Sequence, residues 1–386
     1  MKILSKRKDF FFDMRVLSLI LITFLALPLH ACNSPASPPA NPIVHKKKAT
    51  SKTLTIVRPV VKDTITVTAV GDMMLGTTYP DPGNLPPDSG KRSFIATQPY
   101  FAGSDIVFGN LEGSLLDHGL PATFKKNLKV AYLFRMPTGF AHVFKNAGFN
   151  LLSIANNHIT DFGENGCKST MKTLDSIGIH YAGLDVCPFS IFKKDSITYG
   201  FCAFAPNAHT SPLLLTRHVQ AMIRSLKAQC DVVIVSFHGG AEGPTYEHVP
   251  FKMESFLGAK RGDVHAFAHA AIEAGADLVL GNGPHVSRAI EKYKGRLIAY
   301  SLGNFCTYKS VSVAGVCGMA PMLKVKISRK GEFLSGNIVS FQQNHQNGLT
   351  RDTLNRAARR IRLLTEKDFP GSGLQITDDG TITSLH

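Results

Sequence analysis

The sequence predicts an α/β fold in which helices cover both faces of a β-sheet. Short β-rich runs alternate with helical patterns from Thr64 onward, and strands separated by helices of this length imply such a sheet. Continuous apolar runs such as residues 231–237 are typical of strands buried on both sides. The chain has 386 residues, of which 44% are apolar and 18% charged, so it can bury a core.

The candidate elements follow from apolar runs and from helical periodicity. Strands are predicted at residues 64–70, 105–109, 151–155, 196–205, 232–237, 277–281, 297–302 and 322–327. Helices are predicted at residues 138–147, 163–177, 212–229 and 262–274, and an amphipathic basic helix at 350–364. We expect this last helix, and the polar tail after it, to pack on the outside of the domain or to mediate an interaction.

The N-terminus has the pattern of an exported lipoprotein. Residues 16–29 form a 14-residue apolar run that follows basic residues. The run is too short to span a bilayer comfortably but suits a secretory signal. It leads into the sequence Leu-His-Ala-Cys ending at Cys32, which resembles a lipobox, so Cys32 is the predicted lipidation site. The alternative is an uncleaved membrane anchor, and both interpretations place the domain outside the cytoplasm, in the cell envelope.

The chain divides into four predicted segments. These are a signal peptide (1–32), a flexible linker rich in Pro, Ser and Lys (33–63), a folded domain (64–345) and a C-terminal helix with a polar tail (346–386). The net charge is +15, but residues 1–62 hold 11 of the Lys and Arg residues and only two acidic ones. The milder excess that remains suits an anionic substrate or surface. No nucleic-acid motif accompanies it, so nucleic acid is not an expected partner.

Six cysteines follow Cys32, and they show no Cys-x-x-Cys spacing of the kind that binds metals. An exported location permits disulfides. Buried free thiols and a disulfide between Cys306 and Cys317 both remain open from the sequence.

Short polar sequences follow five of the predicted strands. They are GDMMLG at 71–76, GNLEG at 109–113, ANNH at 155–158, FHGGAE at 237–242 and GNGPHV at 281–286. Ligands of α/β sheets bind beyond the carboxyl ends of the strands, so we expect these sequences to meet at one site. Their Asp, Glu, Asn and His side chains offer the oxygen and imidazole donors that suit Zn, Mn or Fe.

Each of these residues also has a purely structural explanation. Asp72 could be the N-cap of a following helix. Asn156 could adopt a left-handed turn, and Asn157 could form an Asx-turn. His238 suits a hydrogen-bonded position in the core. The placement of all of them at strand ends favours a shared site.

The motifs as a set resemble a known family. The sequence contains GDMMLG at 71–76, NLE at 110–112, NNH at 156–158, PHV at 284–286 and YSLGNF at 300–305, in this order. Together they resemble the CapA family of poly-γ-glutamate capsule-synthesis proteins, a branch of the calcineurin-like metallophosphoesterases. The likeness runs from about Thr64 to Gln343. It implies a four-layer α/β/β/α sandwich in which two mixed sheets lie between helices.

The resemblance also implies a metal site that holds one or two divalent ions (Mn, Zn or Fe). Asp72 would be the first carboxylate ligand and Glu112 the bridging one. His158 would be the general acid near the leaving group, with Asn157 as its catalytic neighbour and as a ligand of the second ion. The full set of implied metal ligands is Asp72, Glu112, Asn157, His238 and His285.

Two departures from the family pattern bear on this site. Ordinary metallophosphoesterases carry a His two residues after the first Asp, where this chain has Met74, as CapA-type sequences do. CapA-type sequences usually carry a further His before the Pro of the penultimate motif, where this chain has Asn282 and Gly283. A single metal or a weakened site is therefore an open alternative to a dinuclear centre.

Further residues are expected at the substrate. The guanidinium of Arg135 suits the binding of a carboxylate or phosphate group of the substrate. Alternatively, Arg135 forms an ordinary ion pair at the surface. Residues 242–254 are polar and aromatic and are expected to cover the site as a lid. The predicted substrate-binding residues are Asn110, Arg135 and Glu242, with Glu247 and His248 as further candidates in the lid.

Three functions fit these features. The first is a membrane-tethered protein of poly-γ-glutamate synthesis or export that binds or processes the anionic polymer and works with capsule-synthesis partner proteins. The second is a free-standing hydrolase for a small anionic substrate, either a phosphoesterase or a γ-glutamyl amide hydrolase. The third is a non-catalytic scaffold with a degenerate metal site. The Asn157–His158 pair favours the first two, because a scaffold needs no acid, whereas the missing His before Pro284 favours the third.

Overall fold

The computed structural model describes residues 63–124, 132–345 and 348–385. The predicted signal peptide, the lipidation site Cys32 and nearly all of the predicted linker lie outside the described residues. Within the described ranges, no helix combines the length and the apolar character needed to cross a membrane.

The described elements follow in chain order. The strands are β1 (Thr64–Met73), β2 (Ile106–Leu111), β3 (Ser114–Leu115), β4 (Arg135–Met136), β5 (Leu151–Ser153), β6 (His180–Ala182), β7 (Phe189–Lys194), β8 (Ile197–Phe204), β9 (Val232–His238), β10 (Glu254–Phe256), β11 (Ala259–Gly262), β12 (Leu278–Asn282), β13 (Ile290–Tyr293), β14 (Arg296–Ala299), β15 (Met319–Ser328), β16 (Phe333–Asn344), β17 (Gly348–Arg351), β18 (Leu374–Ile376) and β19 (Thr381–Ser384). The helices are α1 (Gln98–Phe101), α2 (Phe140–Ala147), α3 (Gly163–Ile177), α4 (Thr216–Lys227), α5 (Val264–Ala274) and α6 (Arg356–Asp368).

Two mixed sheets organise most of these strands. The first has the order β18-β19-β16-β15-β1-β2-β5-β6, with β17 paired to β16, and the second has the order β13-β14-β12-β9-β8-β7. Strands β1, β2, β5 and β6 run parallel, as do β8, β9, β12 and β14. The carboxyl ends of the parallel strands therefore meet at one edge of each sheet.

The packing confirms the four layers that the resemblance implies. A core lies between the two sheets, where the rings of Phe108 in β2 and Phe201 in β8 meet with centroids 5.9 Å apart. Helices α2 and α3 bury Phe144 and Leu174 against the outer face of the first sheet. Helices α4 and α5 bury Ile223 and their other apolar residues against the second sheet. Each such side chain contributes roughly 1.5–3 kcal/mol when fully buried.

Local sequence signals explain where the helices begin and end. Helix α3 has the bounds predicted from its periodicity. It ends at Gly178, which has a φ of 62°, a left-handed conformation that glycine adopts easily because it has no Cβ. Helix α5 begins at Val264 because the side chain of Asp263 accepts a hydrogen bond from the backbone N–H of Ala266 at 2.9 Å.

The C-terminal segment differs from the expected helix and tail. Helix α6 begins at Arg356, six residues after the predicted start, because the side chain of Asp352 accepts a hydrogen bond from the Arg356 backbone N–H at 2.9 Å. The residues just before it form β17, which pairs with β16. The polar tail forms the hairpin β18–β19, which extends the first sheet. Ala358 and Ile361 of α6 join the core between the sheets.

The six cysteines of the described residues are free thiols, so Cys306 and Cys317 form no disulfide. Five are buried and Cys187 is half-buried. Burial raises the pKa of Cys306 to about 12 and that of Cys167 to about 11. Thiols that stay protonated and buried are unreactive, so these cysteines have packing roles.

Candidate metal centre

The carboxyl ends of four strands position the predicted ligands. Asp72 lies near the end of β1, and Asn110 lies beside it in the parallel strand β2. Glu112 follows β2 directly. In the second sheet, His238 ends β9, and His285 follows the neighbouring parallel strand β12. The first sheet therefore contributes the carboxylates of this site, and the second sheet contributes the imidazoles.

Asp72, Glu112 and His285 form the centre of the site. One ligand atom from each lies within 4.8 Å of the others. His285 Nδ1 is 3.3 Å from Asp72 Oδ2, and His285 Nε2 is 3.5 Å from Glu112 Oε1. Both carboxylates are fully buried. Buried charges of like sign are found almost only where they are paired or coordinate a metal.

The position of Asp72 is fixed from several sides. The side-chain amide of Asn110 donates to Asp72 Oδ1 at 2.8 Å, and the backbone N–H of Gly283 donates to Asp72 Oδ2 at 3.2 Å. Its backbone N–H donates to the carbonyl of Gly303 at 2.8 Å, and its carbonyl accepts from Phe305 at 2.8 Å. The protein's own hydrogen bonds therefore hold this carboxylate in place.

The charges of the site depend strongly on one another. Burial favours the protonated form of Asp72, but hydrogen bonds and positive charge from His238 and His285 outweigh it and hold the pKa of Asp72 well below its usual range. Burial raises the pKa of Glu112, and the negative charge of Asp72 raises it further. Burial alone would lower the pKa of His285, but the negative charges of Glu112 and Asp72 raise it to about 10. The carboxylates thus select for a cation beside them.

Several buried polar atoms around this cluster have no hydrogen-bond partner. An unpaired buried polar atom costs about 1–3 kcal/mol, and such atoms are uncommon in native proteins. A coordinated cation removes that cost for the atoms that face it, so the donor set fits a divalent metal. Within the described residues, the unpaired atoms of the site are Glu112 Oε1 and Oε2, Asn110 Oδ1, Asn157 Oδ1, Asn282 Oδ1 and His238 Nε2.

His238 lies next to the three-residue cluster. Its Nδ1 is 3.7 Å from Asp72 Oδ1 and 3.2 Å from the side-chain nitrogen of Asn110. Asn110, predicted to bind substrate, therefore connects Asp72 with His238 inside the cluster. Asn282 turns its amide nitrogen toward the Ser236 hydroxyl at 3.2 Å.

Gly283 is, with Asn282, one of the two residues where the resemblance to CapA-type sequences implies a further His. Its φ is +112°, and a Cβ added there would lie 2.9 Å from the backbone nitrogen of Gly239. This backbone leaves no space for an imidazole in the same conformation. The imidazoles that lie near the carboxylates besides His285 belong to His238, beside Asp72, and to His158, beside Glu112.

His158 faces the cluster from the first sheet. Its Nε2 is 3.9 Å from Glu112 Oε1, and its Nδ1 is 2.8 Å from Asp161 Oδ2. Its ring packs on Phe134 with centroids 4.1 Å apart. Asp161 was not identified from the sequence, although its spacing of three residues after His158 in the same turn was a usable signal. The imidazole is oriented by Asp161, and its other nitrogen points to the site.

The two asparagines before His158 have different surroundings. The side-chain oxygen of Asn156 accepts a hydrogen bond from the backbone N–H of His158 at 3.1 Å, so Asn156 forms the Asx-turn that was considered for Asn157. The amide nitrogen of Asn156 donates to the carbonyl of Leu111 at 2.8 Å. Asn157 keeps its buried side-chain oxygen unpaired, which leaves that oxygen available to a metal ion.

The predicted substrate contacts lie at different distances from the cluster. Glu242 Oε2 is 3.9 Å from His285 Nε2, and Glu242 Oε1 is 2.9 Å from a guanidinium nitrogen of Arg261. Arg135 donates from Nε to the hydroxyl of Thr78 at 2.8 Å and from Nη1 to the carbonyl of Gly119 at 2.6 Å. Glu242 therefore lies at the rim of the cluster, while Arg135 connects loops.

The candidate lid residues have partners away from the site. Glu247 Oε1 accepts from Arg360 Nε at 2.8 Å, and His248 Nδ1 is 2.7 Å from Asp368 Oδ1. Both partners belong to α6. The expectation that Glu247 and His248 face the substrate is wrong, because the long segment that carries them packs against the C-terminal helix.

Comparison with known proteins identifies the family of this chain. The family described as bacterial capsule synthesis protein PGA_cap matches residues 66–309. The chain belongs to this family. The resemblance to the CapA family that was inferred from the motifs is thereby confirmed.

Two relatives come from Bacillus. The capsule biosynthesis protein CapA of Bacillus anthracis is 30% identical over 260 residues, which cover 62% of this chain and 59% of the relative. The PGA biosynthesis protein CapA of Bacillus subtilis is 32% identical over 264 residues, which cover 63% of each chain. The chain thus spans about three fifths of the length of these relatives. Among solved structures, a hypothetical protein from Thermus thermophilus gives a TM-score of 0.46 at 16% identity and covers 72% of this chain and 100% of that one.

Proposed function

We propose that this protein acts in the synthesis or export of a poly-γ-glutamate capsule, through a metal-dependent, hydrolase-like site that binds the anionic polymer. In this proposal a lipid on Cys32 holds the domain at the outer side of the membrane, beside other capsule-synthesis proteins. The family membership and the capsule functions for which the Bacillus relatives are named support the process. The exported-lipoprotein pattern of the N-terminus supports the location.

The observation that carries the hydrolase-like activity is the buried group of Asp72, Glu112 and His285. Two fully buried carboxylates have ligand atoms within 4.8 Å of an imidazole, and both oxygens of Glu112 lack a hydrogen bond. Such an arrangement is costly unless a cation completes it. A packing role alone would be served better by apolar residues of the same size.

In this proposal Asp72, Glu112 and His285 hold a divalent ion, with His238 and Asn157 as further donors. Zn, Mn and Fe all suit this mixture of carboxylate and imidazole ligands. When bound, such an ion polarises the scissile group and lowers the pKa of a water molecule.

The protein's own groups have separate tasks. His158 presents Nε2 to the cluster, and Asp161 at its Nδ1 fixes the ring, so His158 is placed to give a proton to the leaving atom. Gly283 holds the oxygen of Asp72 through its backbone N–H. Arg261 pairs with Glu242 at 2.9 Å and so holds this carboxylate at the rim of the cluster.

Two other functions remain candidates. A free-standing phosphoesterase or γ-glutamyl amide hydrolase would use the same residues on a small anionic substrate. A scaffold is favoured by one specific observation, the Asn282-Gly283 pair before Pro284, where CapA-type sequences usually have a further His.

The test combines metal analysis with activity. The full chain, purified in detergent, is analysed for bound metals and assayed on poly-γ-glutamate and on a chromogenic phosphodiester. The variants Asp72→Ala and His158→Ala are compared with Asp378→Ala and His142→Ala, which change exposed residues of the same type. We expect Asp72→Ala to lose metal and activity, and His158→Ala to lose activity alone.

Each result separates the candidates. Cleavage of the polymer supports action on γ-glutamyl bonds, by a capsule protein or an amide hydrolase, whereas cleavage of the phosphodiester alone supports a free-standing phosphoesterase. Absence of metal above background would leave only the scaffold. Equal activity in Asp72→Ala, His158→Ala and the control variants would refute the catalytic assignment.

A further inference from the structure

We infer that the protein has a second metal site, for a transition metal ion such as Zn²⁺, on the outer face of the second sheet. We name it the α5–β13 cluster, formed by His265, His269 and Glu291. One ligand atom from each of these residues lies within 4.8 Å of the other two. The sequence pattern gave no indication of it, because Glu291 is 22 residues from the nearer histidine and lies on a different element.

The secondary structure brings the three residues together. His265 and His269 are four residues apart in α5, so their side chains lie on the same face of the helix, one turn apart. Glu291 lies in β13, at the edge of the sheet that α5 covers. His269 Nε2 is 2.9 Å from Glu291 Oε2, and the two imidazole rings have centroids 4.0 Å apart.

The type and number of ligands indicate the class of metal. Two imidazoles and one carboxylate, with the histidines four apart on a helix, form a set that zinc uses with a fourth position left to water. Calcium and magnesium prefer all-oxygen sites, so they do not suit it. The side chains of His269 and Glu291 are 21% and 11% exposed, so an ion can enter from solvent.

Neighbouring side chains hold the ligands in place. The hydroxyl of Tyr300 donates a hydrogen bond to Glu291 Oε2 at 2.7 Å. This bond orients the mostly buried carboxylate of Glu291. The ring of His269 is stacked on Tyr293 with centroids 3.6 Å apart, and that of His265 packs on Phe251 at 4.4 Å. Hydrogen bonds to ligands and rigid packing of this kind are typical of metal sites.

The α5–β13 cluster is separate from the site at the strand ends. The sheet register pairs Glu291 with Ile298, and Ile298 with Val279 in β12. Val279 lies three residues before Asn282, where β12 ends. A strand rises about 3.3 Å per residue, so Glu291 lies level with a point about 10 Å before the carboxyl end of β12. An ion bound there is therefore not the ion of the Asp72 cluster.

Zinc binding to the full chain in detergent tests this inference. Metal is first removed with a chelator, and zinc is then titrated by calorimetry into protein that carries Asp72→Asn to weaken the first site. We expect about one zinc ion per chain to remain. Adding Glu291→Gln should weaken its affinity at least tenfold, on the order of the cost of losing a metal contact. Tyr300→Phe should give a smaller loss, because it removes only the hydrogen bond to the ligand.

The matched control is His218→Ala, which removes an exposed histidine from the neighbouring helix α4. His269→Ala should lose the zinc ion as Glu291→Gln does. Circular dichroism checks that each variant is folded. If His269→Ala is unfolded, the zinc affinity of the isosteric Glu291→Gln variant tests the inference. The inference is overturned if the Asp72→Asn protein binds no zinc, or if folded Glu291→Gln protein binds it as tightly as His218→Ala.

Discussion

The buried carboxylate of Glu254 accepts two hydrogen bonds from the guanidinium of Arg288, each 2.8 Å long. Arg288 is fully buried and also donates from Nε to the carbonyl of Tyr246 at 2.8 Å. Glu254 in turn accepts from the backbone N–H of Ala241 at 3.0 Å. This pair therefore fixes the loop that carries Glu242 to the rim of the candidate metal centre.

Glu254→Gln should destabilise the protein by about 3–5 kcal/mol, because it leaves the Arg288 charge buried without a counter-charge. The free energy of unfolding is measured by urea denaturation. Glu273→Gln, which breaks an exposed pair with Lys294, should leave it nearly unchanged. A cycle with Arg288→Met measures the coupling of the pair. Equal stability of Glu254→Gln and Glu273→Gln would contradict the role assigned to the pair.

His158→Ala should lower turnover about 10²- to 10⁴-fold while the metal content stays unchanged, because a general acid contributes this much without binding the ion. Asp161→Asn should give a smaller loss, since it keeps the imidazole but removes the negative charge 2.8 Å from Nδ1. Steady-state kinetics and metal analysis of the same samples check both. Loss of metal in His158→Ala would mean that this histidine is a ligand instead.

Gly283→Ala should destabilise the protein by about 1–3 kcal/mol, because its φ of +112° strains any residue with a Cβ and the Cβ would meet the backbone of Gly239. The metal affinity should fall too, since the backbone N–H of Gly283 holds Asp72. Gly258→Ala is the control: it also has a positive φ, at +80°, but has nothing within 4 Å of the added Cβ. An equal metal affinity in both variants would contradict the role of Gly283 at the site.

Cys32→Ser should release the protein from the membrane fraction or misdirect it, because the lipid would then have no attachment point. Fractionation followed by immunoblotting measures this, and mass spectrometry of the wild-type N-terminus looks for the lipid. Cys187→Ser, at a half-buried free thiol in the domain, serves as the control. An unchanged membrane fraction for Cys32→Ser would favour an uncleaved anchor.

Strong local signals in the sequence predicted much of the fold. The bounds predicted for α3 agree with the structure, since its periodicity and the glycine after it both mark them. Most parallel strands of the two sheets were predicted, helped by continuous apolar runs, but β6 was missed because it has only three residues. The hairpin β18–β19 was missed because its strands are short and rich in polar residues, and they are stabilised by pairing with β16, far away in the sequence.

The site was predictable where its residues follow buried strands. Asp72, Glu112 and His285 meet because strand direction determines where strand ends lie. Residues placed by loops were harder to predict. Glu247 and His248 pair with α6, and Arg135 connects loops, because the path of a long segment depends on distant packing.

The ligands of the Asp72 cluster come from both sheets, and this has a consequence for folding. Asp72, Glu112 and His158 belong to the first half of the chain, whereas His238 and His285 come from the second sheet. A chain that has folded only as far as β8 possesses the carboxylates but neither of these imidazoles. In the proposed function, tight metal uptake would therefore follow docking of the two sheets, and an ion that binds only the finished fold would make that docking harder to reverse.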